Sequence, residues 1–316
     1  AIPSLEGMNH MTTSKGVSLA ARKRFRLTSD DLWGYAFIGV SMLVFCIFTL
    51  YPVISAVETS FLKYRPFGSQ YIKWQNYAET FKNALFYKAT KNTLVYTAVV
   101  VPLSLLLAFS IAIMILPFPR KVQSVFKSIY YLPGIASGVA LSVVWLWIYD
   151  SSPQGLFNQV LSFLHLPTQN WLSSSKTSML SLMFMALMSG QGSNIIIYIA
   201  ALLGIDNSYF EAAELDGATF MQKVRYIVFP LVKPTTLFLL ITTFISSMKV
   251  FQSVDVLTGG GPYNSTEVFV YYIYRLAFRD FRIDRASVNA LLFFVILLVV
   301  TASTIRITNK NVHYDA

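Results

Sequence analysis

Glu211-Ala212-Ala213-Glu214-Leu215-Asp216-Gly217-Ala218 is a charged stretch in a chain otherwise apolar enough to sit in lipid, and it continues through Lys223 and Arg225 to Pro230 and Pro234. Two local signals shape it. Ser208-x-x-Glu211 fits a capping box, in which the serine accepts from a backbone amide and the glutamate reaches back. The helix it opens would run to about Leu215 and stop near Gly217, the residue that best tolerates a left-handed C-terminal position. Thr219-x-x-Gln222 fits a second box, opening a helix expected to break before Pro230. Helix, sharp turn, helix is the expectation for residues 205–234, at a membrane surface. Taken alone, Glu211 and Asp216 serve equally well as caps in a solvated loop.

Outward from this stretch, the 316 residues are 55% hydrophobic and 13% charged, with a mean hydropathy of +0.55. Those values are wrong for a solvated globule. Six runs are long enough to cross a bilayer, which takes roughly 20 apolar residues: 34–57, 92–116, 129–149, 178–203, 235–257 and 288–305. The expected fold is all-α, a polytopic transmembrane helical bundle of six spans between tails 1–33 and 306–316. The net charge of +10 sits in the connections between runs, so membrane lipid accounts for it and no nucleic-acid partner is expected.

The basic run at Arg22, Lys23, Arg24 and Arg26 favours an inside N-terminus, and six spans return the C-terminus to that side. The short loop with Arg120, Lys121 and Lys127 contrasts with residues 150–177, which hold only Lys176. Residues 58–91 mix six Lys and Arg with Tyr64, Phe67, Tyr71, Trp74 and Tyr77, and read as a surface-lying amphipathic segment. Cys46 is the single cysteine, so there is no disulfide framework. His10, His165 and His313 lack partners at ligand spacing, so no metal site is expected. There is no phosphate loop, nucleophile elbow or H-E-x-x-H, hence no catalytic residue and no expectation of an enzyme.

Inside the runs, polar side chains recur at helical spacing. Gly134, Gly138 and Ser142 stand four apart in the third and offer one narrow face to another helix or a ligand, with plain packing the simpler account. Trp145 and Tyr149 follow on that face and read as an interfacial aromatic belt. Gln191, Asn194 and Tyr198 share one side of the fourth. Amides in hydrocarbon are costly unless paired or facing water, so this stripe should point inward. Thr242, Ser246, Lys249 and Ser253 repeat the pattern in the fifth. Lys249 lies roughly 20 Å along that helix at 1.5 Å per residue. It either snorkels to the headgroups or faces a pathway, where it would suit an anionic substrate group. Pro52, Pro102 and Pro133 are expected to remove backbone hydrogen bonds or bend their helices.

The pattern Glu211-Ala212-Ala213, Asp216-Gly217-Ala218, Ile227, Pro230 and Pro234 resembles the "EAA" signature of permease subunits of binding-protein-dependent ABC importers. Thr258-Gly259-Gly260-Gly261-Pro262 with Asn264-Ser265-Thr266-Glu267 is similar to an outward loop of the carbohydrate branch, as are Tyr51-Pro52, Ser60-Phe61, Asn76-Tyr77 and Asn92-Thr93. Val224 and Phe229 depart from the usual aromatic and leucine. The resemblance spans about residues 30 to 305 and is closest to six-span subunits of oligosaccharide importers.

The resemblance implies a type I importer transmembrane domain over 34–305 in the bacterial cytoplasmic (inner) membrane, paired as a heterodimer with a second permease. No cofactor is expected on this chain, with ATP and Mg held by a separate ATPase dimer. Further partners would be an extracytoplasmic solute-binding protein and its oligosaccharide. Glu211 would contact the ATPase, Gly217 would make the turn, and Ala212, Ala213 and Ala218 would give close-packed surface, with Asp216 completing the ATPase-coupling set. Substrate-facing positions would be Gly190, Gln191, Asn194, Ser246, Ser247, Lys249 and Val250, with Gly134 and Gly138 giving room. The competing class is an ion-coupled secondary sugar transporter. Such proteins carry inverted repeats and intramembrane carboxylates, whereas no repeat is visible and Asp255 is the only acidic residue in a run.

Overall fold

The computed structural model describes residues 29–65 and 68–309. The basic run at 22–26, His10, His313 and most of both tails lie outside the described residues. Packing divides the chain into residues 1–53 and 54–316. In the first unit, α1 (Ser29–Phe45) passes through a π-helical turn, Cys46–Leu50, into α2 (Tyr51–Ser60). Its first residues lie within the stretch set aside as tail. The wider turn comes just before Pro52, which has no N–H to continue an α-helical ladder. Every side chain from Trp33 to Val53 is exposed and most are apolar, a composition matched to hydrocarbon.

The second unit takes up α2 at Ile54 and continues with a β-hairpin, β1 (Leu62–Arg65) against β2 (Gly68–Tyr71), then α3 (Gln75–Lys82). The fold is predominantly helical as expected; the one difference is that the segment expected to lie flat as an amphipathic element contains a short strand pair. Asn76 fastens it, its Nδ2 donating to the carbonyls of Ser60 and Leu62 at 3.0 and 2.8 Å. Next come α4 (Ala84–Ile115), α5 (Arg120–Ile135), α6 (Gly138–Ile148), α7 (Leu156–Phe163), α8 (Ser178–Ser189) and α9 (Gly192–Leu203). The chain then forms α10 (Asn207–Leu215), α11 (Phe220–Lys223), α12 (Phe229–Leu231), α13 (Lys233–Met248), α14 (Gln252–Leu257), α15 (Phe269–Tyr274) and α16 (Ile283–Asn309).

Among the described residues, four helical runs are long and apolar enough to cross a membrane, and two bent pairs, α5 with α6 and α8 with α9, bring the total to six. The six expected runs are all present, but their outlines differ. The second begins at Ala84 rather than residue 92, because Asn83 caps it, its Oδ1 accepting from Leu85 N at 2.9 Å; the sixth begins at Ile283 rather than 288. The third is two helices at 99°. Ala136 and Ser137 are extended there, after Pro133 and between two poor helix formers, Gly134 and Gly138. Gly134 and Ser142 therefore do not share one helix face.

The expected aromatic belt is also corrected. Trp145 and Tyr149 are buried among Phe157, Trp171 and Met183, with Trp145 Nε1 donating to Ser189 Oγ at 2.9 Å and Tyr149 OH to the Ser181 carbonyl at 2.7 Å. Aromatic groups with a satisfied polar tip are good core material. A second core joins α4, α9 and α13 through Leu105, Ala108, Ile195, Tyr198 and Leu239. Between the loop after α14 and α4, Lys88 Nζ donates to the Tyr263 carbonyl at 2.6 Å, and Asn92 Nδ2 to those of Asn264 and Glu267 at 3.2 and 2.9 Å. Burial raises the Glu267 carboxyl above the usual range, opposed by Arg275 at 3.3 Å.

Gly192 allows α9 to meet α5. A Cβ there would lie 2.5 Å from the Tyr130 carbonyl oxygen and 2.7 Å from Tyr131 Cα, backbone atoms that cannot step aside. Gly192→Ala is expected to cost roughly 1–3 kcal/mol, as overpacking does, and to lower the thermal unfolding midpoint of the purified protein.

Candidate functional site

The loop between α9 and α13 is built from backbone chemistry. Asp206 caps α10, its Oδ1 accepting from Ser208 N at 2.9 Å. The expected Ser208–Glu211 box does not form, because the aspartate two residues earlier takes the cap. That bond holds the Asp206 carboxyl below the usual carboxylate range. At the other end, Ala218 N donates to the Ala213 carbonyl at 2.9 Å and Gly217 N to that of Glu214 at 3.0 Å, the paired bonds of a Schellman turn. Gly217 sits at φ +71°, where any side chain is strained.

The Thr219–Gln222 box forms as expected. The helix it opens does not break before Pro230; a π-helical turn, Val224–Val228, carries it on into α12. Lys223 Nζ reaches back to Glu214 Oε1 at 2.7 Å, which lowers the Glu214 pKa and clamps α11 against α10. No residue of α10 is buried. Glu211 and Ala212 are exposed and Ala213 and Ala218 half-buried. Leu215 is 91% exposed, with Phe220 and Met221 also open. The turn thus presents uncovered apolar groups beside Glu211, whose carboxylate has no side-chain partner among the described residues.

Deeper in the bundle the helices are interrupted three times: at residues 136–137, at 190–191 where α8 and α9 bend by 43°, and at 249–251 between α13 and α14. The fifth span was expected to be one helix. Instead, Lys249 is the C-cap of α13 and Phe251 sits at φ −146°, ψ −61°, so Lys249 and Ser253 do not continue the stripe of Thr242 and Ser246.

Three adjoining cavities gather at these breaks. The largest, about 540 Å³, lies among α4, α8, α9 and α13, lined by Gly190, Gln191, Asn194, Ser246, Ser247 and Val250, with Tyr96, Ser104, Ser193, Thr242 and Thr243. A second, about 410 Å³, shares Val250 with it and is lined by Gly138, Ser142, Lys249 and Gln252. The third, about 360 Å³, shares Gly190 with the first and Gly138 with the second, and includes Gly134. All nine expected substrate-facing residues thus border one of three contiguous spaces. Gly138 makes room less for a ligand than for Gln252, whose side chain occupies the space a Cβ there would fill.

The polar stripe is wired across helices. Ser104 Oγ donates to Gln191 Oε1 at 2.7 Å, and Asn194 Nδ2 lies 3.4 Å from both Ser104 Oγ and Thr243 Oγ1. Tyr198 OH bonds Thr236 Oγ1 at 3.3 Å in the core rather than facing the cavity. Among the described residues the 540 Å³ cavity is lined by hydroxyl, amide and apolar groups and by no charged side chain, whereas exposed Lys249 borders the space beside it. Tyr96 and Ser104 escaped the sequence reading; their spacing through Val100, four residues apart, is the signal that marks one face of α4.

Broken apolar helices around a space lined by amides and hydroxyls, with an exposed helix-turn-helix at one end, are the marks of a multi-pass permease. The chain belongs to the family described as binding-protein-dependent transport system inner membrane component, which it matches over residues 93–308. It is 30% identical over 302 residues to a probable ABC transporter permease protein, YesP, of Bacillus subtilis, covering 94% of this chain and 97% of that one. It is 28% identical over 281 residues to the arabinooligosaccharides transport system permease AraP of the same organism, covering 87% and 88%. Among solved structures, it is similar to a chain of a bacterial ABC transporter that imports the acidic polysaccharide alginate, with TM-score 0.79, 25% identity, and coverage of 90% and 97%. The chain is therefore a multi-pass inner-membrane permease and not an enzyme.

Removing the cap should loosen the loop without disturbing the bundle. Asp206→Ala is expected to speed hydrogen exchange of the Ser208 amide severalfold. In the native chain, the depressed pKa keeps the cap intact at neutral pH. Its contribution is fully present above the unfolded value of about 3.9 and is lost as pH falls through the lower folded value, which exchange at acid pH reads directly.

Proposed function

We propose that this chain is one of two permease subunits lining the path of an oligosaccharide through an ATP-driven importer. The observation that carries this is the uncharged 540 Å³ cavity at the helix breaks. Its hydroxyl and amide groups can exchange hydrogen bonds with sugar hydroxyls, and its partly apolar walls suit sugar C–H faces. The AraP relative, a lactose transport permease, LacF, of Rhizobium radiobacter at 28% identity, and the alginate transporter support a sugar. A solute-binding protein would deliver it on the side opposite 205–234, the loop after α14 forming part of that dock. A solved alginate transporter in complex with a pentasaccharide-bound periplasmic protein supports this arrangement.

In this reading both termini are cytoplasmic, and 205–234 is the coupling element on which a separate ATPase dimer, carrying ATP and Mg, docks. Glu211 supplies the charged contact, and Leu215 and Phe220 the apolar one. The capped, clamped turn is stiff enough to pass ATPase closure to α9 and α13, the helices that flank the cavity. Alternation between inward- and outward-facing states then follows from differential affinity for the two. Lys249, exposed at the adjoining space and without a side-chain partner among the described residues, is the group that would read an acidic sugar.

Glu211→Ala is expected to lower ATP-driven uptake roughly tenfold, as loss of an interfacial charge contact does, with an unchanged unfolding midpoint. Normal uptake would remove Glu211 from the coupling contact, and ion-driven uptake by the chain alone in ATP-free liposomes would overturn the importer reading. Lys249→Met is expected to reduce uptake of an acidic oligosaccharide about tenfold, the scale of a lost charge-assisted hydrogen bond, and to spare a neutral one. Equal retention of both would leave Lys249 as a snorkelling residue.

A further inference from the structure

A fourth cavity, about 490 Å³, lies on the other face of α4 and α8. It shares no lining residue with the 540 Å³ cavity: Val99 and Leu103 face it where Tyr96, Val100 and Ser104 face the other, and Leu187 where Ala186 does. Its walls are Phe157, Trp171, Met183 and Phe184 with aliphatic neighbours. Each polar group in the wall is already bonded within the protein: Tyr149 OH to the Ser181 carbonyl, Ser181 Oγ to that of Trp171 at 3.1 Å, Trp171 Nε1 to Asn158 Oδ1 at 3.0 Å, and Thr177 Oγ1 to the Asn170 carbonyl at 2.8 Å. Every side-chain donor in the wall is thus engaged, and the remaining lining is hydrocarbon, a poor match for a sugar.

The slot opens on an exposed apolar face of the chain. Leu103, Leu180 and Phe184 at its rim are 42, 63 and 42% exposed. Beside it, α7 turns Leu156, Val160 and Phe163 outward at offsets of four and three, the last 83% exposed, an apolar stripe of the kind that lies in a membrane interface. The slot is thus continuous with an exposed apolar surface of the kind a membrane covers. It sits at the end of the bundle away from 205–234, where the segment 150–177 carries a single Lys or Arg, Lys176. Lys176 is exposed and adjoins Thr177, which lines the slot.

The geometry points to a phospholipid site: one acyl chain lies in the slot, and the lipid phosphate pairs with Lys176, in the leaflet opposite the coupling loop. An apolar slot dry to water but open to lipid is filled by hydrocarbon, and a lone cation one residue from its edge complements the phosphate.

Photocrosslinking of the assembled transporter tests this. The chain is expressed with p-benzoylphenylalanine at Phe184, close in shape to the native side chain, or at Phe294, 52% exposed on α16, as a control for loosely held lipid. After purification in detergent and irradiation, mass spectrometry is expected to find a phospholipid adduct at position 184 and none at 294. Lys176→Gln should reduce the adduct about fivefold, the scale of one surface cation on an anionic headgroup. A crosslink from 184 to another polypeptide would overturn the site and make the slot a subunit contact. Equal labelling at both positions, or at neither, would also overturn it, as would a yield unaffected by Lys176→Gln.

Discussion

In hydrocarbon every backbone N–H and C=O must find a partner, and irregular backbone survives there only when it is buried in protein or lines a polar space. Three of the spans of this permease break that regularity, at residues 136–137, 190–191 and 249–251. The breaks are not scattered. Each borders one of three cavities that share Gly138, Gly190 and Val250, so one polar region accommodates all of them. Ser104 on the unbroken α4 ties the arrangement together by bonding Gln191 and approaching Asn194. Unbroken helices would leave no such space, and separate breaks would each need their own polar partners.

The loop at 205–234 obeys the complementary rule. Outside the membrane, water can satisfy the backbone, so rigidity must be built in locally. Asp206, the Schellman bonds at Gly217, the Thr219–Gln222 box and the Glu214–Lys223 pair supply it within about twenty residues. An exposed ion pair contributes little stability by itself, but here it joins two short helices across a glycine turn. The side chains left uncovered, Glu211, Leu215 and Phe220, are those a docking partner can use, and the loop connects the two helices that flank the largest cavity.

Much of this was legible in the residues because the signals are local. Run length gave the six spans, the Thr219–Gln222 spacing gave its box, and the cost of burying amides placed Gln191 and Asn194 inward. Signals that depend on competition between neighbours were misread. Ser208 and Asp206 are both good caps, and only the backbone geometry selects the aspartate. Trp145 and Tyr149 are equally plausible at an interface or in a core until Phe157 and Trp171, brought back by the 149–177 segment, cover them.

The sequence by itself determined a multi-pass membrane protein, the six apolar runs, the capped charged loop and the two runs whose polar groups face inward, since each follows from composition and spacing along one chain. The permease class came from the resemblance carried by Glu211 to Pro234. Tertiary structure decided where the helices break, how Gly134 and Gly138 come to lie on different helices, and which face of α4 is polar and which belongs to the lipid slot. Those choices rest on contacts between residues far apart in sequence. The approach of α9 to the Tyr130 backbone at Gly192 and the Ser104–Gln191 bond are set by packing across the bundle, which no periodicity along a single helix encodes.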